Sequence, residues 1–306
     1  MFEKMASLQI QLLLLLLLMI VGFVIKKKKI LDDRQQSGLS ELLIHVILPA
    51  TIIKSFISNG NKSGDTLKNC LLVVVICLLI EIVLVVLAPK LLKVFGEDKA
   101  RVMEYGLLVP NSGFIGLPII EYMYDATTLM YASIYLIPLN VVMWTVALSL
   151  YTKEKDMKIG LKKVITHPCI IAIFIGFILM ITNIQLPSAI TGAIEMASKA
   201  SSLIAMLTVG TILADIEWNK LFDLSTISYT FIRLVILPLA IYFILNAIGV
   251  NETIVLVSTL MTAMPCGAMC PVLAKKYGCD FKFAAKLILL SSIFSVVTIP
   301  CLCLLF

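Results

Sequence analysis

The chain reads as an all-α polytopic membrane protein with ten transmembrane helices, arranged as two inverted five-helix repeats. Three observations predict this. The 306 residues are 60% hydrophobic and only 14% charged, more apolar surface than a soluble domain of this size can bury. Apolar runs recur at the length that crosses a bilayer of about 30 Å. Two of them are broken by proline and glycine at matching places in the two halves: Leu107–Tyr124 (LLVPNSGFIGLPIIEYMY) and Leu260–Tyr277 (LMTAMPCGAMCPVLAKKY).

The expected spans run in order. Span one covers about Met5–Ile25, with the run Leu12–Leu18 at its heart. Lys26–Lys29 follow it and hold the next loop in the cytoplasm, which argues against a cleaved signal peptide and puts the N-terminus outside. Span two, about Leu39–Ser58, carries His45, Pro49 and Lys54, and the polar stretch Asn59–Gly64 is an outer loop. Span three, about Leu67–Leu87, contains Glu81. The expected loop Pro89–Arg101 brings Lys90, Lys93, Lys99 and Arg101 inside. The broken segment is span four, and about Leu129–Tyr151 is span five. The stretch Thr152–Lys163 has five lysines and marks the midpoint.

The second half repeats the order, with spans at about Val164–Thr182, Leu186–Ala214, Thr226–Ile248, the second broken segment, and Phe283–Phe306. The loop Asp215–Asp223 between spans seven and eight is acidic on balance, although acidic residues count little in setting orientation. Five spans per half is an odd number, so the halves face opposite ways. The expected divisions are 1–152, a cytoplasmic linker 153–163, and 164–306, with both termini extracytoplasmic. The net charge of +6 follows the positive-inside pattern of the loops, so no nucleic-acid partner is expected. The cysteines lie mostly in apolar runs and match no zinc spacing, which makes them packing residues rather than a metal site.

In lipid, interrupted helices are tolerated only inside protein or beside a water-filled cavity. Pro110 and Pro118, like Pro265 and Pro271, each lack the N–H that a helix needs and clash one turn back. Two such segments in corresponding places point to a transporter site near the membrane midplane. Half-helix N-termini there would suit a carboxylate. Asn111 adds an amide donor and Ser112 a hydroxyl. Each proline is also readable as a kink relieved by its neighbours. Gly113, Gly116 and Gly267 serve either close packing or access of substrate to the backbone.

Ionisable residues within spans are functional candidates. Lys199 follows Glu195 by one turn, and an i,i+4 pair accounts for both without function; a pathway role is the other reading. Lys54 reads as a snorkelling residue. His45 reads as a satisfied interior histidine, with a proton site as the alternative. Glu81 and Arg233 either pair or face headgroups.

The stretches LPATIIKSF (Leu48–Phe56), VPNSGFIGLPI (Val109–Ile119), LTVGTILA (Leu207–Ala214), RLVILPLA (Arg233–Ala240) and MPCGAMCPVLAKKYGCD (Met264–Asp280) resemble the auxin efflux carrier family. That family includes bacterial permeases and the plant PIN-type carriers. The Pro-Asn-x-Gly-Phe-x-Gly-x-Pro pattern is the specific one. The resemblance implies a fold of two inverted five-helix repeats whose fourth and ninth helices unwind at prolines and cross. It also implies transport of small organic anions, auxin-like or malate-like, and a homodimer in the cell membrane. Pro110, Asn111, Ser112, Gly113, Pro265, Cys266 and Gly267 are then the substrate-binding candidates, and His45 and Lys199 the coupling or pathway candidates. No cofactor or metal is expected.

No nucleotide-binding G-x-x-x-x-G-K-[ST] occurs, and an intramembrane hydrolase would have only Ser112 and the distant His45 to work with. The expectation is therefore a non-enzymatic secondary carrier working by alternating access, one helix bundle moving against the other around the crossed breaks. Proton coupling, sodium coupling, exchange and simple uniport are all open. A channel or a substrate-sensing membrane protein on the same fold is the alternative.

Overall fold

A computed structural model describes residues 2–58, 64–152, 157–214 and 222–306. The expected outer loop Asn59–Gly64 and the loop Asp215–Asp223 lie largely outside the described residues, as do residues 153–156 of the middle linker; residues 157–163 of that linker are helical. Every named element is helical. In order these are α1 (Phe2–Lys27), α2 (Asp33–Leu42), α3 (Leu48–Ile57), α4 (Gly64–Leu92), α5 (Glu97–Leu108), α6 (Leu117–Met123), α7 (Ala126–Val142) and α8 (Met157–Ile165). They continue as α9 (Pro168–Thr182), α10 (Ser188–Lys199), α11 (Ser201–Ala214), α12 (Leu224–Phe231), α13 (Leu237–Ala247), α14 (Glu252–Thr262), α15 (Met269–Lys276) and α16 (Phe281–Cys303).

Six helical stretches among the described residues are long and apolar enough to cross a membrane: Asp33–Ile57, Thr66–Phe95, Ala126–Ala147, Ser188–Ala214, Leu224–Ala247 and Phe281–Cys303. Pro168–Thr182 and Glu252–Thr262 are shorter apolar helices. The expected loop Pro89–Arg101 is instead mostly helical. Pro89 sits inside α4, and the chain turns at Gly96, whose φ of 88° suits glycine. The helix that leads into the first break therefore starts at Glu97, ahead of the apolar segment expected from sequence.

Several prolines do not end their helices. π-helical turns occupy Leu43–Ile47, Ser112–Gly116 and Ile232–Ile236, directly ahead of α3, α6 and α13. Each of those helices carries a proline near its start: Pro49, Pro118 and Pro238. A proline ring collides with the carbonyl four residues back. That residue, His45, Phe114 or Leu234, is the centre of each π turn, where the widened backbone relieves the clash. The expected break at Pro118 is thus a bulge that the helix passes through. Pro271 likewise lies in the first turn of α15, where a missing N–H costs nothing. A fourth π turn, Met143–Ala147, has no proline behind it.

The chain forms two compact units, each drawing on both halves of the sequence. The first comprises Met1–Val73, Gly113–Leu136 and Ile165–Asp215. In it α1 lies along α11 with backbones nearly touching: a Cβ on Gly22 would stand 2.3 Å from the Leu207 carbonyl oxygen, and one on Gly210 would stand 2.0 Å from that of Met19. Small residues permit this approach between apolar helices. Phe56 of α3 packs over Gly176 of α9 and meets Phe177 edge-on at 6.5 Å.

The second unit comprises Val74–Ser112, Ile137–Val164 and Ile216–Phe306. Here α16 packs against α5, α12 and α15, with Leu287, Ile288, Leu289 and Leu290 buried. Asp223 caps α12 by accepting from the Thr226 N–H, and its carboxylate also takes the Lys99 ammonium at 3.2 Å. Burial works against the charge, but the Thr226 N–H and Lys99 outweigh it and hold the Asp223 carboxyl below the usual range.

Candidate functional site

The two breaks meet in the second unit. α5 stops at Leu108 because Pro110 cannot continue it and restricts Val109 ahead of it. α14 stops at Thr262, three residues before Pro265. The extended residues that follow form one antiparallel bridge, Pro110 opposite Cys266. The Asn111 N–H donates to the Pro265 carbonyl at 2.8 Å, and the Gly267 N–H donates to the Val109 carbonyl at 2.9 Å.

Breaking a helix in an apolar setting strands backbone groups that must find partners. The partners here come from the opposite break and from three side chains. Ser112 donates its hydroxyl to the Met261 carbonyl at 2.7 Å. The Cys266 N–H donates to the Ser291 hydroxyl at 3.1 Å. Arg233, fully buried in its π turn, donates from Nε to the Met264 carbonyl at 2.9 Å and from Nη1 to the Leu107 carbonyl at 2.7 Å. One guanidinium thus ties the ends of α5 and α14 together. A cation at two helix C-termini also faces the negative end of both dipoles.

Glu81, on α4, is 2% exposed and lies in the field of Arg233. It shares a buried stripe with Cys77, Leu84 and Ala88 at helical spacing. Neither residue faces headgroups. Each keeps one atom without a hydrogen-bond partner, Oε2 of Glu81 and Nη2 of Arg233. Tyr229 and Cys266 lie in the same electrostatic neighbourhood.

The expected site residues divide accordingly. Pro110, Asn111, Ser112, Pro265, Cys266 and Gly267 come together at the crossing. The backbone N–H groups of Asn111, Cys266 and Gly267 are all engaged within the protein. Asn111 is 7% exposed, and no described residue hydrogen-bonds its side-chain amide. A Cβ on Gly267 would stand 2.7 Å from the Val109 carbonyl oxygen, so this glycine serves backbone contact. Gly113, which falls in the first unit, has open space where a Cβ would point. His45 is exposed, with Nδ1 3.0 Å from the Glu41 carbonyl oxygen. Lys199 is exposed at the last residue of α10.

Within the first unit, Lys54 does more than snorkel. Its ammonium lies 3.4 Å from Glu121 Oε1 and 3.3 Å from the Ser198 hydroxyl, and Ser198 donates to the same carboxylate oxygen. Sequence reasoning passed over Glu121. The available signal was a carboxylate inside the apolar segment Leu107–Tyr124.

A model of the Membrane transport protein family matches residues 8–160 and 152–303. The chain belongs to this family. The match agrees with the resemblance to auxin efflux carriers carried by the motifs at both breaks. The chain is also similar to an uncharacterized transporter of Methanocaldococcus jannaschii, 25% identical over 282 residues that cover 88% of this chain and 89% of the relative. A second uncharacterized transporter, from Methanothermobacter thermautotrophicus, is 25% identical over 281 residues, covering 89% of each. The exposed apolar faces, such as Leu71, Leu79, Ile82 and Val86 on α4, suit a multi-pass membrane transport protein.

Proposed function

We propose that the chain is a secondary carrier of small organic anions, mono- or dicarboxylates, working by alternating access with the substrate's carboxylate at the crossing. The observation that carries this reading is the Asn111 amide, set beside two interrupted helices whose own stranded groups already have partners. It leaves a directed donor for an incoming oxygen atom. Pro110, Pro265, Cys266 and Gly267 shape the crossing, Ser112 locks it to α14, and Gly113 stays among the substrate-binding candidates. The proposal extends to ten spans in two inverted repeats, which the bridge of Pro110 to Cys266 between the two matched breaks supports. As the family resemblance implies, the carrier would work as a homodimer in the cell membrane.

The test is uptake of radiolabelled mono- and dicarboxylates into proteoliposomes, with and without a pH or sodium gradient. Concentrative uptake is expected; purely downhill flux or binding without uptake would favour a channel or a sensor. Asn111→Ala removes one hydrogen bond to a charged group, worth about 1.5–3 kcal/mol, so apparent affinity should fall roughly ten- to a hundredfold. Asn111→Asp should be worse, because it sets a like charge against the carboxylate. If Asn111→Asp carries the anion as well as the wild type, the substrate does not sit here.

A further inference from the structure

We propose that Glu81 is the proton-binding site of this carrier, and that proton binding at Glu81 and anion binding at the crossing favour one another, making the transport a proton–anion symport. The symport rests on the proposed function above; the proton site does not.

The charge balance around Arg233 is the starting point. Its guanidinium is permanently charged and donates to carbonyls at the ends of α5 and α14. A helix C-terminus carries about −0.5 of an elementary charge. The two ends therefore already offset the single positive charge of Arg233. An ionised Glu81 adds a surplus negative charge to a group of atoms shielded from water, since Glu81 and Arg233 are 2% and 0% exposed. Arg233 is the charged group whose field reaches Glu81. Tyr229 and Cys266 share the field of Arg233.

Glu81 also has the means to take a proton. Oε2 is buried and accepts no hydrogen bond, so a lone pair is available and protonation breaks no existing contact. The reaction is addition of a proton to a carboxylate oxygen, with no other bond made or lost. A metal cation would be served poorly here. It would need several oxygen ligands and would be repelled by the guanidinium. Among the described residues, no group of three or more His, Cys, Asp or Glu side chains gathers.

The link to transport runs through Arg233. With Glu81 ionised, the surplus negative charge opposes a carboxylate arriving at Asn111. With Glu81 protonated, that opposition is gone. By linkage, a bound anion must then raise the proton affinity of Glu81 by the same factor. His45 is exposed and shows no comparable connection to the crossing.

The test has two arms, on purified full-length protein. In the first, infrared difference spectra across a pH titration in lipid should show the carbonyl stretch of a protonated carboxyl. The band should be lost as pH rises and be missing from Glu81→Gln. Glu81→Asp should keep a band at a shifted position, and Glu121→Gln should leave the wild-type band in place. Identical titrations for wild type and Glu81→Gln, with both shown to be folded by thermal melts, would overturn the proposal. In the second arm, radiolabelled malate uptake by the wild type should be driven by an inward proton gradient. Glu81→Gln should retain malate exchange but lose the response to the gradient. A Glu81→Gln variant that still accumulates malate on a proton gradient would also overturn it. Absence of malate uptake by the wild type would count against the organic-anion reading alone, while the infrared titration still decides for or against Glu81.

Discussion

A single carbon atom at Gly267 is enough to disturb the crossing. A Cβ there would stand 2.7 Å from the Val109 carbonyl oxygen and 3.1 Å from Val109 Cγ1. The first of these atoms is the acceptor for the Gly267 N–H. It cannot retreat without stretching the bond that holds the two breaks together. Gly267→Ala should therefore destabilise the protein by about 1–3 kcal/mol, the usual cost of overpacking. A thermal melt in detergent checks this. Gly113→Ala, with open space at its Cβ position, is the control and should melt close to the wild type. The two glycines look alike in the sequence, and both were readable as packing or as substrate access. The distance to Val109 shows Gly267 in close backbone contact, which Gly113 lacks.

At the scale of elements, Arg233 joins two helix ends that have no covalent reason to stay together. Replacing it with methionine keeps much of the volume but removes the donors to the Leu107 and Met264 carbonyls. It also removes the cation in whose field Glu81 lies. A hydrogen bond to a charged group is worth about 1.5–3 kcal/mol, so loss of both bonds costs about 3–6 kcal/mol. Arg233→Met should fall in that range, and Glu81→Gln in the same chain should recover part of the loss. The recovery should grow as pH rises, because only an ionised Glu81 suffers from the missing cation. A double-mutant cycle of melts at two pH values measures it. Strict additivity at both would mean that the two side chains do not interact. The π turn that carries Arg233 was not foreseen, although its cause, Pro238, is plain in the sequence.

At the scale of the whole molecule, the lysine distribution predicts an orientation. Both termini should be extracytoplasmic and the middle linker cytoplasmic. Lys162 is exposed at the end of α8, and Ile248 is exposed at the turn after α13. In a cysteine-free background, Ile248→Cys should react with an impermeant thiol reagent from outside, and Lys162→Cys should react only after the membrane is opened. Labelling of Lys162→Cys from outside would remove the basis for two oppositely oriented repeats.

The sequence by itself determined the class of protein and the places where its helices fail. Apolar content and run length depend on composition alone, and proline acts on its own backbone and the turn before it. The breaks at Pro110 and Pro265 were legible for that reason, as was Asn111 as the polar side chain beside one of them. Tertiary structure decided what the breaks do with the groups they release. Half-helix ends were expected from sequence to present N–H groups to a carboxylate, and those of Asn111 and Gly267 pair instead with Pro265 and Val109 across the crossing. Only packing could set Glu81 near Arg233, or Lys54 against Glu121. Those partners lie far apart along the chain, and no local rule of backbone or spacing connects them.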